Sequence, residues 1–514
     1  MKYENEGSNK DKLLFQHFFN NINNINFLVR KDQKVDIKNL ISDILNNIDE
    51  LEKYEESLSQ FNIIPYEQKK KINKTRKLWK SLITEAFYCL RESDEADTND
   101  FKDDFGILNI INYFYEFLEF EELLYGSDVY YRDHSLHVIR VFLLGFYLLT
   151  REQTKNSGEI INFQDLRIKN ENDEIEIKLD NKVHQAIWAI ISLTHDLGYP
   201  IEKIEKINQK INEIIKYYNS TGIEGLKYAL PIQNLILNEF LLKFISSKII
   251  KQKEEYFNVI QNKYFIKFSN AFEKYKHGIM SCILLLKYVT YFKESDFTNT
   301  KLRGFKKRDA EQFIIRRLIL RSIASHDNDD IYHIFSNHYS FLLMLADDLQ
   351  EWDRHSKFSR FKYSIDIDNI IYNDKKVKFD IIYDISRNLK SIDDIIQNFA
   401  RNIKHYVRLF RSAPDSDKRN FKLSFKIKIN INANRIEILK FISSPKSEPK
   451  IISPMTNKEY DYLREFLQYI ESNYNYKLIK EENNKISELI KKIEKKIEEL
   501  KLNDSQNRNH LLEN

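Results

Sequence analysis

Five separated stretches of this chain set imidazoles and carboxylates beside strongly apolar runs, and these side-chain types are the ones that hold a transition-metal ion. In RDHSLHVIRVFLLG, His134 and His137 stand three residues apart, so both project from one face of an otherwise apolar helix. In AIWAIISLTHDLGYP, His195 and Asp196 close an apolar helix where Gly198 can terminate it and Pro200 prevents its continuation. Adjacent helical residues point about 100° apart, yet the Asp196 carboxylate can turn toward an ion that the His195 imidazole also reaches. Further along, His277 in KYKHGIMS, His326 with Asp327 in IASHDND, and Asp347 with Asp348 in LMLADDLQEW repeat the pattern.

One histidine on an apolar helix is usually a hydrogen-bonded core residue. Five such segments, in the order His, His-Asp, His, His, Asp, argue for a shared purpose. Mixed imidazole and carboxylate ligands suit Mn²⁺, Fe, Co²⁺, Ni²⁺ or Zn²⁺, whereas Mg²⁺ prefers oxygen. Such ions lower the pKa of a bound water and neutralise phosphoryl oxygens, so phosphoester hydrolysis would need no Ser or Cys nucleophile.

The order of these residues resembles the HD superfamily of metal-dependent phosphohydrolases, over roughly residues 130–354. The resemblance implies an HD-domain helical bundle in which a first-helix His, the contiguous His195-Asp196 and the later Asp347 hold one ion. Forms with two additional histidines, such as cyclic-nucleotide phosphodiesterases and HD-GYP proteins, hold a second ion, which would place His277 and His326 on it with Asp196 as the bridge. His134 and His137 each precede a valine by four residues, Val138 and Val141, so register does not choose the first ligand. The following FLLG reads like the family's first helix, which favours His137 as the ligand. His134 is then left to donate a proton to the leaving oxygen or to contact substrate. Asp347 follows Ala346 as in the family's Ala-Asp signature, and Asp348 is expected on another helix face. Arg132, Arg140 and Arg354 flank the motifs and are candidates to hold phosphate oxygens.

The implied activity is hydrolysis of a nucleotide-type phosphoester or phosphoanhydride, with His134 and Asp196 as catalytic residues and two divalent transition ions as cofactors. The stretch HDLGYP matches neither the His-Asp-Ile-Gly-Lys of the HD-GYP family nor the longer HDIGHPPFGH of deoxynucleoside-triphosphate hydrolases, so the subfamily stays open. A di-iron oxygenase on the same ligands and a non-catalytic nucleotide sensor are the alternatives. A nuclease version rests on the basic, aromatic-bearing stretches that start at Lys251 and Lys301. No Gly-rich phosphate loop of the P-loop or dinucleotide-binding kind is present.

The elements that must position these groups read as long helices. Only 10 Gly and 7 Pro occur in 514 residues, which disfavours many-turned β folds, and 30 Tyr with 35 Phe supply ample material for a core. A net charge of +4 from 81 basic and 77 acidic side chains gives no global field for nucleic acid or membrane. Two cysteines, Cys89 and Cys282, form no disulfide framework and fit a reducing cytoplasm. The polar start and the short apolar run at 141–149 predict a cytosolic protein without a membrane span.

Patterning predicts a mainly α chain in four parts. Residues 1–104 read as a helical N-terminal module and 105–358 as the metal-binding domain, with a hairpin inserted at 162–180. Residues 359–445 read as a small α+β domain, because FKYSIDI, VKFDIIYDI and FKLSFKIKINI alternate apolar and polar around a helical stretch at 392–410. Residues 446–514 read as helical. They end in a charged helix whose Ile486, Leu489, Ile493, Ile497 and Leu500 form a stripe suited equally to a short coiled coil, and through it a homo-oligomer, or to a solvated terminal helix.

Overall fold

In the computed structural model of the chain, the described residues are 6–55, 66–93, 106–127, 134–151, 161–168, 177–215, 217, 235–294, 304, 306–331, 335–350, 352, 363–373, 376–384, 422–431, 434–444, 447–453 and 477–480. The fold is mainly α, as its composition predicts. Its helices are α1 (Glu6–Asn20), α2 (Lys31–Glu55), α3 (Tyr66–Ser93), α4 (Ile107–Ser127), α5 (Ser135–Thr150), α6 (Asn181–Thr194), α7 (Tyr199–Ile215), α8 (Leu235–Ile245), α9 (Asn262–Glu273), α10 (His277–Tyr288), α11 (Lys307–His326) and α12 (Tyr339–Leu349).

Helix α6 is the axis of the bundle. Every residue from Val183 to Thr194 is buried, the pattern of a helix enclosed on all sides, and α3, α5, α11 and α12 pack around it. The N-terminal helices share this core. Trp79 of α3 stacks on Phe114 of α4 at 3.9 Å between ring centroids and donates its indole N–H to the Leu193 carbonyl at 2.8 Å. From α1, the buried Asp11 carboxylate accepts from Arg140 Nε at 2.8 Å and Nη2 at 2.6 Å, and from Trp352 Nε1 at 3.1 Å.

Two sheets flank the bundle. The stretch that begins at Lys251 belongs partly to an antiparallel hairpin of β1 (Ser247–Gln252) and β2 (Glu255–Ile260), turned at Lys253 with φ 56°, and then enters α9. The second sheet contains β3 (Tyr363–Ile365), β4 (Ile371–Asn373), β5 (Lys376–Asp384), β6 (Lys422–Ile431), β7 (Asn434–Ser444), β8 (Ser447–Ser453) and β9 (Lys477–Lys480), in the order β3-β5-β6-β7-β8-β9 with β4 also on β5. The three alternating segments of the sequence are β3, β5 and β6. Parallel pairing of β5 with β6 sets Val377, Phe379 and Ile381 beside Leu423, Phe425 and Ile427, all buried on the face that period-two alternation provides. Tyr372 joins this sheet to the bundle, stacking on Phe341 and donating its hydroxyl to the Ser336 carbonyl at 2.7 Å.

One expectation changes. The sheet continues past residue 445, so 447–453 and 477–480 are strands within the region expected to be helical; SEPKIIS is too short to display either period. The turn of the hairpin expected at 162–180 lies outside the described residues; the described part has a 3-10 turn at Phe163–Asp165, closed by an Asn162/Asp165 capping box, and Arg167 bridges to His338. Residues 169–176, the stretch 392–410 and the charged helix at 485–502 lie outside the described residues. No helix among the described residues is long and apolar enough to cross a membrane.

One core histidine gives the bundle a pH limit. His184 of α6 shares a 2.7 Å hydrogen bond with the Tyr339 hydroxyl, and burial lowers its pKa to about 4, with Asp165 opposing weakly. A histidine held neutral in the fold contributes stability above its unfolded pKa of about 6.5 that is lost as pH falls toward 4, at most about 3 kcal/mol. Chelator-treated protein should therefore lose Tm between pH 6.5 and 4, and His184→Gln should flatten that slope. An unchanged slope in the variant would contradict this assignment.

Candidate metal centre

The five motif segments converge at one end of α6. His134 is the residue before α5, and His137 lies in the first turn of that helix. Helix α6 ends at Thr194, His195 caps it in helical geometry, and α7 starts at Tyr199 with Pro200 in its first turn, where a missing N–H costs nothing. Gly198 lies outside the left-handed region, so its role is close packing and not helix termination. A Cβ there would lie 2.2 Å from the His277 carbonyl oxygen and 2.5 Å from Met280 Cβ. Gly278 does the same between α10 and α11, since its Cβ would meet the Ile323 carbonyl oxygen at 2.5 Å and Asp327 Oδ1 at 2.7 Å. Ser281 fastens the junction. Its hydroxyl accepts from Gly198 N–H at 2.7 Å and lies 2.7 Å from the His195 carbonyl oxygen and 2.9 Å from that of His277.

Asp196 occupies the middle. Its Oδ2 faces His137 Nε2 at 3.5 Å and His195 Nε2 at 3.4 Å, while its Oδ1 faces His277 Nε2 at 3.4 Å and His326 Nε2 at 3.7 Å. Asp347 Oδ1 joins the first side, 2.9 Å from His137 Nε2 and 3.9 Å from His195 Nε2. One carboxylate thus separates two sets of donors.

The outer nitrogens fix the tautomers. His195 Nδ1 donates to the Ser192 carbonyl at 2.8 Å and His326 Nδ1 to the Ile323 carbonyl at 2.6 Å. His137 Nδ1 bonds Gln350 Oε1, and His277 Nδ1 bonds Glu202 Oε2 at 2.7 Å with Asp327 Oδ2 at 3.3 Å. Each imidazole therefore spends its Nδ1 proton outward and turns an Nε2 lone pair inward, the arrangement of metal-ligating histidines. The inward atoms meet other acceptors: His277 Nε2 and His326 Nε2 are 3.0 Å apart, and buried His195 Nε2 has no hydrogen-bond partner. Nitrogens so close need a proton or a metal ion between them, and these buried His/Asp clusters can hold metal ions.

The charges point the same way. Burial alone would raise the Asp196 carboxyl, but His195, a hydrogen bond from His326, and His277 and His137 hold it well below the usual carboxylate range. Burial likewise opposes ionisation of Asp347, and His137 and His195 reverse it. Burial lowers His195 to about 4 against the pull of Asp196, so this imidazole stays neutral and available as a ligand. Burial would also lower His277, yet Asp327, Glu202 and Asp196 raise it to about 9. The carboxylates that favour the imidazolium favour any cation in that position.

His134 stands beside this set, outside the two groups around Asp196. Its ring lies 6.3 Å from that of His137 and 3.7 Å from that of Tyr199, and Glu121 Oε1 accepts from its backbone N–H at 2.8 Å and from Nδ1 at 3.1 Å. Arg140, expected on phosphate, is instead buried, with its Nε and Nη2 on the Asp11 carboxylate. Arg132 and Arg354 lie outside the described residues. Asp348 is buried and belongs to neither group around Asp196.

Four contributors were not read from the sequence: Glu121, Tyr199, Glu202 and Gln350. Gln350 lies three residues after Asp347 and Glu202 one turn into α7, so helical spacing from the motifs could have found both. Nothing local marks Glu121, which meets His134 only through the packing of α4. Glu202→Gln and Asp327→Asn should each weaken metal binding on the His277/His326 side by roughly 10–100-fold and leave the other side intact. Competition with a chelator measures this, and equal loss at both sides, or none, would contradict the division. No family, curated protein or solved structure matches the chain.

Proposed function

We propose that the chain is a metal-dependent phosphohydrolase of the HD superfamily, acting on a nucleotide-type phosphoester or phosphoanhydride. The observation that carries this reading is the position of Asp196, whose two oxygens face two separate histidine pairs with their Nε2 atoms turned inward. His137, His195, Asp347 and Asp196 Oδ2 would hold one ion, and His277, His326 and Asp196 Oδ1 the other. Two transition ions bound there would supply a hydroxide nucleophile at neutral pH and neutralise phosphoryl oxygens.

The chain's own groups do the rest. Substrate approaches from the side where Asp347, His277 and Glu202 are 20%, 18% and 24% exposed, since the remaining ligands are closed off by the bundle. Glu121 accepts from His134 Nδ1 and so favours the imidazolium form, whose Nε2 would pass its proton to the departing oxygen, and Tyr199 packed on the ring fixes its plane. Gln350 and the Ser192 and Ile323 carbonyls keep the ligand rings from turning, so the donor set is organised before substrate arrives.

Turnover of bis(p-nitrophenyl) phosphate and of a nucleotide panel in Mn²⁺ or Fe²⁺ tests the reading. His134→Ala should keep its metal and lose roughly 10²–10⁴-fold in rate on substrates whose leaving oxygen needs a proton, with a smaller loss for nitrophenolate. Fully metal-loaded protein that turns over none of these substrates would overturn the hydrolase reading.

A further inference from the structure

A second cavity lies at the opposite end of α5 and α6. Thirteen residues of helix separate Thr150, on its wall, from His137, which is about 20 Å along α5. It encloses about 360 Å³, near the lower end of the range for small-molecule sites. Its lining is chemically uniform: Asn21 and Asn24 from the turn after α1, Asn162 and Gln164 from the 3-10 turn before α6, and Asn181 and Gln185 from α6 itself. Phe146, Leu149 and Phe163 form the apolar part of the wall, and among the described residues no ionisable side chain lines it.

Three separate chain segments thus bring six carboxamides to one small space. Some have structural work. Gln185 Oε1 accepts from Asn26 N–H at 2.7 Å, Asn21 donates to the His17 carbonyl at 2.9 Å, and Asn162 caps the 3-10 turn. The side-chain amides of Asn24, Gln164 and Asn181 make no hydrogen bond to described residues; Asn24 and Gln164 are exposed and Asn181 half-buried, so a ligand at this opening would replace water on them.

We propose that this cavity binds an uncharged nucleobase or nucleoside, at a site distinct from the metal centre. A carboxamide offers a donor and an acceptor side by side, which pairs bidentately with the edge of a base. The apolar wall suits the flat face of a heterocycle better than the hydroxylated faces of a sugar. The described lining residues include no cation to hold a phosphate, which favours an uncharged ligand here over the substrate proposed for the metal centre. Its volume accommodates one base or nucleoside and no dinucleotide.

Titration of the whole chain with adenosine, guanosine, cytidine and uridine, followed calorimetrically and by Tm, tests this. At least one nucleoside should bind and raise Tm, and Gln164→Ala with Asn181→Ala, both at positions without internal side-chain bonds, should weaken it at least tenfold. Binding should survive Asp196→Ala and chelator. Failure of all four nucleosides, or preference for glucose over them, would overturn the proposal. Binding that disappears with Asp196→Ala but withstands the carboxamide substitutions would place the ligand at the metal centre instead. Failure of phosphoester turnover leaves this test unaffected.

Discussion

Asp196→Ala should empty both halves of the metal centre at once. Asp196 is the one residue whose oxygens face both histidine pairs, at 3.4 to 3.7 Å, so its removal takes a ligand from each ion and leaves the Nε2 lone pairs of His277 and His326 3.0 Å apart without a counter-charge. Bound metal should fall from about two equivalents to well below one. Turnover should fall by roughly 10³-fold or more, equivalent to about 4 kcal/mol of lost transition-state stabilisation. Asp347→Ala provides the contrast, since it touches only the His137/His195 side and should spare the other ion. Elemental analysis of the two variants checks this, and equal metal loss in both would contradict a bridging role for Asp196.

Asp11→Ala should be the most damaging substitution outside the centre. Its carboxylate, 1% exposed, neutralises the Arg140 guanidinium, 2% exposed, and also accepts from the Trp352 indole. Removing it strands a buried charge, and such losses cost about 3–5 kcal/mol. Arg140→Ala should cost a similar amount, whereas a paired change to apolar residues of similar volume should recover much of it. Denaturant unfolding measures these effects. The same experiment decides what Arg140 does: if it held substrate phosphate, Asp11→Ala would leave stability within about 0.5 kcal/mol and change KM instead.

The sequence disclosed the clustered His and Asp residues more readily than the support around them. His137, His195, Asp196, His277, His326 and Asp347 were legible because each is an ionisable side chain on an apolar helix, a local conflict that sequence alone reveals. Arg140 displays the same conflict, yet its resolution is Asp11, 129 residues away, and no spacing rule joins positions in two different helices. Glu121 was hidden for the same reason. Gly198 was visible as a helix breaker, but the approach of the His277 carbonyl that requires glycine there is a tertiary fact.

The sheet shows where patterning ends. β6 alternates cleanly because one face is buried, so LSFKIKI announces itself, whereas β5 alternates over Val377 to Phe379 and is then buried on both faces through Tyr383. β8 and β9 pair in parallel through KIIS and KLIK, segments of four residues in which period two and period 3.6 look alike. The β1–β2 hairpin was obscured by its own lysines, and its turn at Lys253 and Glu254 contains no Gly or Asn to announce it.

The most direct test is anomalous diffraction from crystals of the chain purified without chelator and loaded with Mn²⁺ or Fe²⁺. Two peaks are expected, one on each side of Asp196, the first within ligand distance of His137, His195 and Asp347 and the second of His277 and His326. A single peak on the His137 side would remove His277 and His326 from the ligand set, and no peak at either position would contradict a metal centre in this bundle.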